Sequence, residues 1–299
     1  MKKEINGETG IVGIIGGNIN YTLSPFLHNQ LLDYYLINNR YLPLHVSEGR
    51  LVAAIEGLRA LNAKGVNITI PFKEKTIEMM DTIEYSAFRV GAINTIVIKD
   101  KLLLGFNTDL IGFKRSLMRG NEIELKGKRA VILGAGGAAR AVIYVLCTEG
   151  VKNISIFNRT PVKGERIKKT YQGFFPECCI QVFSLKDSCL QEKINQTDLL
   201  INATPLGSYP NIDFNPLPDN ILLNHRLIAY DLIYSPAKTA FLKQAEQSGA
   251  KTVNGCKMLV YQAVESFYLW TGIKPEEKIV RQLIRQLQDK VQQSKIALN

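Results

Sequence analysis

The stretch KRAVILGAGGAARAVIYVL, residues 128–146, carries the pattern from which the fold follows. Its opening, RAVIL, is a short apolar run of the kind that forms a strand buried on both faces. From Ala138 to Cys147 the apolar residues fall at helical spacing. Between the two lies Gly134-x-Gly136-x-x-Ala139. Such a glycine pattern is weak alone and strong when it joins a strand to a helix. Gly134 permits the tight turn, Gly136 lets the backbone approach a pyrophosphate, and the small Ala138 and Ala139 let the helix pack closely on its sheet. The N–H groups of the helix's first turn then receive the anion. Gly134, Ala135, Gly136, Gly137 and Ala138 are therefore expected to form a dinucleotide-binding turn.

The choice of dinucleotide is read at the end of the next strand, NISIF (residues 153–157), roughly twenty residues on. A site for NAD places Asp or Glu there, on the ribose 2′-hydroxyl. This chain has Asn158, Arg159 and Thr160. No carboxylate repels a 2′-phosphate, and a guanidinium can bind one through two parallel hydrogen bonds, so NADP is the expected cofactor. Lys163 adds a second cation.

Working outward, short apolar runs alternate with helical patterns on both sides of this turn. Before it stand IVGIIGG (11–17), SPFLHNQLLDYYLI (24–37), YLPLHV (41–46), LVAAIEGLRAL (51–61), GVNITI (65–70) and KEKTIEMM (73–80), then INTIVI (93–98) and LLLGF (102–106). After it come IQVFSL (180–185), DLLINAT (198–204) and LIAYDLIY (227–234), a helix over Thr239–Ser248 and a helical pair, residues 257–272 and 275–291. Strands separated by helices predict an α/β fold with mainly parallel sheets. The restart at residue 128 marks a second domain, as a length of 299 residues also suggests. The join at Asp109–Phe113 reads as a helix start, with Asp109 as its N-cap.

Composition narrows the function classes. No stretch approaches about 18 uncharged apolar residues, so no membrane span is expected. The apolar run after MKKEINGETG is too short and glycine-broken for a signal sequence, which predicts a cytoplasmic protein. Five cysteines, odd in number and without a CxxC pair, argue against a disulfide framework and a zinc site; no metal is expected. The net charge of +10 comes from scattered lysines and arginines without interleaved aromatics. That distribution argues against nucleic acid and suits small anions.

The residues before the glycine turn carry candidate chemistry. Lys73, in NITIPFKE (67–74), follows a strand end, where parallel sheets present ligand-contacting residues. Asp109 closes GFNTD (105–109). A lysine and an aspartate converging on one hydroxyl can shuttle its proton while a nicotinamide exchanges hydride.

Together the motifs resemble the shikimate dehydrogenase family along nearly the whole chain. The resemblance rests, in order, on IxYTLSPFLHN (19–29), NITIPFKE, GAINT (91–95), GFNTD, GAGGAAR (134–140), NRT (158–160), NATPLG (202–207), YDLIYSP (230–236) and GCKMLVYQAVESF (255–267). It implies two α/β domains flanking a cleft: a substrate-binding domain of residues 1–109 plus 256–299, to which the last helices return, and a Rossmann NADP-binding domain of residues 110–255. It implies reversible reduction of 3-dehydroshikimate to shikimate by NADPH, within chorismate and aromatic amino-acid biosynthesis, by a monomer or homodimer. Lys73 would be the catalytic acid/base and Asp109 its partner on the same hydroxyl. Thr69, Asn94 and Gln262 would hold the ring hydroxyls, and Thr22 and Ser24 the carboxylate, with Tyr234 nearby. Besides the turn and Asn158, Arg159, Thr160 and Lys163, the resemblance brings Asn202, Thr204, Leu232 and Gly255 to the nicotinamide end.

The chain departs from the family's pattern at four places, one being the glycine-rich lead-in GGN (16–18), which lacks the usual proline. Thr22 stands where serine is common and adds a methyl group; Tyr21 stands where histidine is frequent; Lys257 occupies a position usually held by glycine, pointing to solvent or reaching a substrate carboxylate or cofactor phosphate. These departures keep a quinate/shikimate dehydrogenase as the nearest alternative. A ligand-sensing protein without turnover is the alternative of a different class, and it has no chemical need for both Lys73 and Asp109.

Overall fold

The computed structural model describes residues 4–293. The chain separates into two compact units, one made of the chain up to Gly112 with Val260–Leu283, the other of Phe113–Leu259 with the stretch from Ile284. The crossings fall inside helices.

The first unit contains β1 (Gly10–Gly16), α1 (Ser24–Tyr34), β2 (Asn39–His45), α2 (Leu51–Ala60), β3 (Gly65–Ile68), β4 (Thr82–Ile83), α3 (Tyr85–Val90), β5 (Thr95–Lys99), β6 (Leu102–Phe106) and the start of α4 (Asp109–Met118). Its sheet runs β2-β1-β3-β5-β6-β4. The β1–β2, β1–β3 and β4–β6 pairs are parallel, as the alternation predicts. β5 is antiparallel to both its neighbours. The reversal against β6 has a local cause: Asp100 and Lys101 have φ of 50° and 64°, the two left-handed residues of a tight hairpin turn whose twist matches that of the strands. INTIVI and LLLGF are thus one hairpin, and the start of β5 lies at the same edge as the ends of β3 and β6.

Ile15, Val66, Ile68, Phe72, Ile93 and Ile96 form the centre of this unit's core with Leu51, Ile55 and Leu58 of α2. KEKTIEMM, expected as a helix, makes only a 3-10 turn over Lys75–Met79. The buried Thr76 hydroxyl donates to the Phe72 carbonyl at 2.9 Å, tightening the chain locally at the expense of a longer helix.

The second unit holds β7 (Arg129–Leu133), α5 (Gly137–Thr148), β8 (Asn153–Asn158), α6 (Pro161–Gln172), β9 (Cys179–Ser184), α7 (Leu190–Asn195), β10 (Leu199–Asn202), β11 (Ile228–Asp231), α8 (Ala240–Gln247) and β12 (Lys251–Val253). Its six strands are all parallel, in the order β12-β11-β10-β7-β8-β9. Followed from β9, this is the doubly wound dinucleotide-binding order, with its switch point between β7 and β10. Two helices follow, α9 (Cys256–Thr271) and α10 (Glu277–Gln293). The later part of α9 belongs to the first unit, where the Trp270 indole donates to the Ile96 carbonyl at 2.9 Å. Among the described residues, no helix is long and apolar enough to cross a membrane.

Candidate active site

In the first unit, strand register assembles the polar residues. Asn67 of β3 faces Thr95 of β5, and Thr95 faces Phe106 of β6. Thr69, Asn94 and Asp109 therefore emerge together at one sheet edge. The loop after β3 is pinned by fully buried Phe72, whose N–H donates to the Thr69 carbonyl at 3.0 Å, and the Ile93 N–H donates to the Lys73 carbonyl at 2.8 Å. These contacts bring Lys73 to Asp109: Nζ lies 2.6 Å from Oδ2. The side chains are only 14% and 4% exposed, so water screens the pair little.

The other Asp109 oxygen, Oδ1, accepts from the Asn94 amide at 2.9 Å, and the same amide donates to Gln262 Oε1 at 3.1 Å. Four of the candidate residues thus form one hydrogen-bonded group. Asp109 was expected to cap α4. Instead it is the helix's first residue, its own N–H donates to Asn107 Oδ1 at 3.1 Å, and its carboxylate is taken by Lys73 and Asn94. Thr22 and Ser24 sit at the start of α1, their hydroxyls 3.2 Å apart, and the Ser24 N–H donates to Thr22 Oγ1 at 3.3 Å. The N-cap residue, Leu23, makes no side-chain cap bond, so two hydroxyls and a helix N-terminus meet there, a suitable cradle for a carboxylate. Tyr234 lies in the second unit, after β11.

In the second unit the cofactor candidates line the carboxyl edge of the parallel sheet. Leu133 pairs with Phe157 on one side and with Asn202 on the other. The turns at Gly134–Gly137, Asn158–Thr160 and Asn202–Thr204 consequently stand side by side. Gly134 has φ of +108°, and a Cβ there would lie 3.0 Å from the Ala203 backbone; only glycine suits both demands. Gly136 caps α5 without a side-chain hydrogen bond, and nothing lies within 4 Å of a Cβ placed on it. A pyrophosphate thus fits against the first turn of α5. Arg159, Thr160 and Lys163 are exposed at the start of α6, where a 2′-phosphate can meet both cations.

Asn202 is fixed from below. Its amide donates to Asp231 Oδ1 at 3.0 Å, and its side-chain carbonyl accepts from the Thr204 N–H and hydroxyl at 3.0 and 2.7 Å. Burial pushes the Asp231 carboxyl up to about 7, opposed by the hydrogen bonds from Thr239, Ile233 and Asn202. Leu232 follows β11, its N–H donating to the Asn202 backbone carbonyl at 3.0 Å. Gly255 packs against it so closely that a Cβ would overlap the Leu232 carbonyl oxygen.

Three family models match this chain: "Shikimate dehydrogenase substrate binding domain" over residues 14–96, "Shikimate / quinate 5-dehydrogenase" over residues 117–209 and "Shikimate 5'-dehydrogenase C-terminal domain" over residues 255–285. A shikimate dehydrogenase (NADP(+)) of Carboxydothermus hydrogenoformans is 42% identical over 280 residues, 94% of this chain and 98% of that protein. The chain belongs to the shikimate dehydrogenase family. Solved structures agree. A shikimate dehydrogenase in complex with NADP+ is 35% identical with a TM-score of 0.84, covering 96% of this chain and 98% of its own. The Thermus thermophilus enzyme in complex with NADP(H) and shikimate is 30% identical with a TM-score of 0.80, covering 93% and 99%.

The departures from the family pattern now have places. Tyr21 is exposed. Lys257 neither points to solvent nor serves as a free cation: its ammonium donates to the Gly120 carbonyl and, at 3.1 Å, to Asn121 Oδ1. Desolvation, with Lys251 nearby, lowers its pKa. It ties the loop after α4 to the start of α9. Sequence reasoning does not single out Asn67, Thr95, Thr108 and Ser266, which are buried beneath Asn94. All four lie inside the family's motifs, but as single small polar residues they read as turn or cap formers.

Proposed function

We propose that this protein is an NADP-dependent shikimate dehydrogenase that reduces 3-dehydroshikimate reversibly to shikimate, within chorismate and aromatic amino-acid biosynthesis. Family membership supports the reaction and the cofactor. The observation that carries the site assignment is the Lys73–Asp109 pair at 2.6 Å, joined through Asn94 to Gln262.

Bound NADPH supplies the hydride. In the reducing direction the Lys73 ammonium donates a proton to the ketone oxygen as it becomes a hydroxyl, and in the oxidising direction the amine takes that proton back. Asp109 aligns the Lys73 Nζ and accepts from the same hydroxyl. Asn94, Gln262 and Thr69 recognise the ring hydroxyls as neutral hydrogen-bond partners, and Thr22 with Ser24 takes the carboxylate. Tyr234 is assigned to the substrate set by the family resemblance. Gly134–Ala138 holds the pyrophosphate, Asn158, Arg159, Thr160 and Lys163 the 2′-phosphate side, and Asn202, Thr204, Leu232 and Gly255 the nicotinamide end. Residues 1–109 with 256–299 bind substrate, and residues 110–255 bind cofactor. The five cysteines are free thiols, in keeping with a cytoplasmic site of action, as a monomer or homodimer.

The test is consumption of NADPH by the purified chain on addition of 3-dehydroshikimate, with shikimate as product. Binding of shikimate without any turnover would instead favour a ligand sensor.

A further inference from the structure

Directly beneath Asn94 three hydroxyls meet. Thr95 Oγ1 lies 3.1 Å from Thr108 Oγ1 and 3.0 Å from Ser266 Oγ, and Thr108 lies 3.1 Å from Ser266. Thr95 and Ser266 are wholly buried and Thr108 nearly so. Each has one hydrogen to give, so the direction of giving matters. Asn67 sets it from one side: its amide donates to Thr95 Oγ1 at 3.0 Å and to Ser266 Oγ at 2.9 Å, while its carbonyl accepts from the Tyr41 hydroxyl at 2.8 Å. With a lone pair of Thr95 and one of Ser266 occupied by these N–H donors, the Thr95 hydroxyl hydrogen is left to turn to the other side. There Asn94 Oδ1 accepts from Thr95 Oγ1 at 3.0 Å, from Thr108 Oγ1 at 3.2 Å and from the Thr108 N–H at 2.7 Å.

The orientation of the Asn94 amide follows. A backbone N–H can only donate, so the atom facing Thr108 is the oxygen. The amide nitrogen must then face Asp109 and Gln262, the two acceptors it meets. Turned the other way, it would set oxygen against the Asp109 carboxylate and N–H against N–H at Thr108. Ser266 also stands one helical turn after Gln262 on α9, so its bonds to Thr95 and Thr108 anchor the stretch of helix that carries Gln262.

We infer that Thr95, Thr108 and Ser266 are positioning residues: a buried, directional hydroxyl cluster that, together with the Thr108 N–H, holds the donor face of Asn94, and through it Asp109 and Gln262, toward the substrate. The inference rests on the assignment of Asn94, Asp109 and Gln262 to shikimate. It predicts an effect on substrate use that is separate from stability and from the cofactor.

Thr95→Val keeps the shape and removes the hydroxyl; Thr95→Ser keeps the hydroxyl. Thr95→Val should lower kcat/KM for shikimate by about two- to tenfold, the scale of one hydrogen bond lost from an acceptor that keeps its two Thr108 donors. The KM for NADP should stay at the wild-type value, and Thr95→Ser should restore most of the loss. Ser266→Ala should show the same split between substrate and cofactor. A merely structural role would give equal losses in Thr95→Val and Thr95→Ser, or a lower Tm with kcat/KM unchanged, and either result overturns the inference. A crystal structure of ligand-free Thr95→Val tests the cluster independently of turnover. A displaced or split Asn94 side chain supports the inference, and a side chain held unchanged between Thr108 and Asp109 refutes it. Absence of shikimate oxidation by the wild type would overturn the functional reading, while the crystal structure would still decide the role of the cluster.

Discussion

Separating the chemical role of Lys73 from its structural role needs three variants: Lys73→Met, Asp109→Asn and the two combined. Removing Lys73 leaves the Asp109 carboxylate, 4% exposed, with the Asn94 amide as side-chain donor. Breaking a buried pair by deleting one partner costs roughly 3–5 kcal/mol, because the remaining charge stays desolvated. Asp109→Asn costs less, about 1–3 kcal/mol. Lys73, at 14%, retains some contact with solvent, although the new amide can offer its oxygen to only one of the two donors, Lys73 and Asn94, and sets its nitrogen against the other. In the double variant no charge is left behind, so the losses should fall short of additive by about 0.5–3 kcal/mol. Turnover behaves differently: all three variants should lose about a hundred- to ten-thousandfold in kcat, with NADP affinity unchanged. Urea denaturation gives the stabilities and initial rates of NADPH formation give kcat. Wild-type turnover in Lys73→Met would refute proton transfer by this lysine. Strictly additive stabilities would refute the pair.

Arg159→Ala should raise the KM for NADP by about ten- to a hundredfold and leave NAD nearly unaffected, since only NADP has the phosphate assigned to the guanidinium; equal losses for both cofactors would place Arg159 in another role. Gly255→Ala should cost about 1–3 kcal/mol and weaken NADP, because its Cβ would overlap the Leu232 carbonyl oxygen and force the backbone apart; an unaltered melting curve would contradict that packing. His28, stacked on Tyr41 with ring centroids 4.2 Å apart, has its pKa lowered by burial from 6.5 to about 3. The unfolded chain therefore binds that proton at higher pH than the folded one. The group's contribution to stability is present above pH 6.5 and falls toward pH 3, by up to about 1.4 kcal/mol per unit. His28→Phe keeps the stacking and gives up a ring nitrogen, Nδ1, that has no hydrogen-bond partner among the described residues. It should flatten the acid limb of Tm against pH, and an acid limb as steep as the wild type's would count against the neutral imidazole.

The second unit is legible in the sequence because its chemistry is local. The turn from Gly134 to Ala138 and the Asn158–Thr160 segment each lie within a few residues of the strand that presents them, and the parallel register then sets them side by side. The first unit is legible in its motifs and less so in its connections. The reversal of β5 depends on two left-handed residues, Asp100 and Lys101, which belong to no glycine or asparagine signal. Asp109 resembles a cap because an aspartate at a helix start usually is one; a lysine 36 residues earlier claims it instead. Ser266 and Thr108 are 158 residues apart, and nothing in the chain between them announces that their hydroxyls meet. Lys257 shows the same limit: its partners, Gly120 and Asn121, come from the other end of the second unit.

The most direct test of the account compares initial rates of the purified chain in a two-by-two design, shikimate or quinate with NADP or NAD. Quinate carries an extra hydroxyl at the carbon bearing the carboxylate, which Thr22 and Ser24 would have to accommodate, and NADP carries the phosphate assigned to Arg159. The account predicts that shikimate with NADP gives the highest kcat/KM, that exchanging either partner lowers it, and that quinate with NAD is the poorest pair. A preference for quinate, or for NAD, would contradict it.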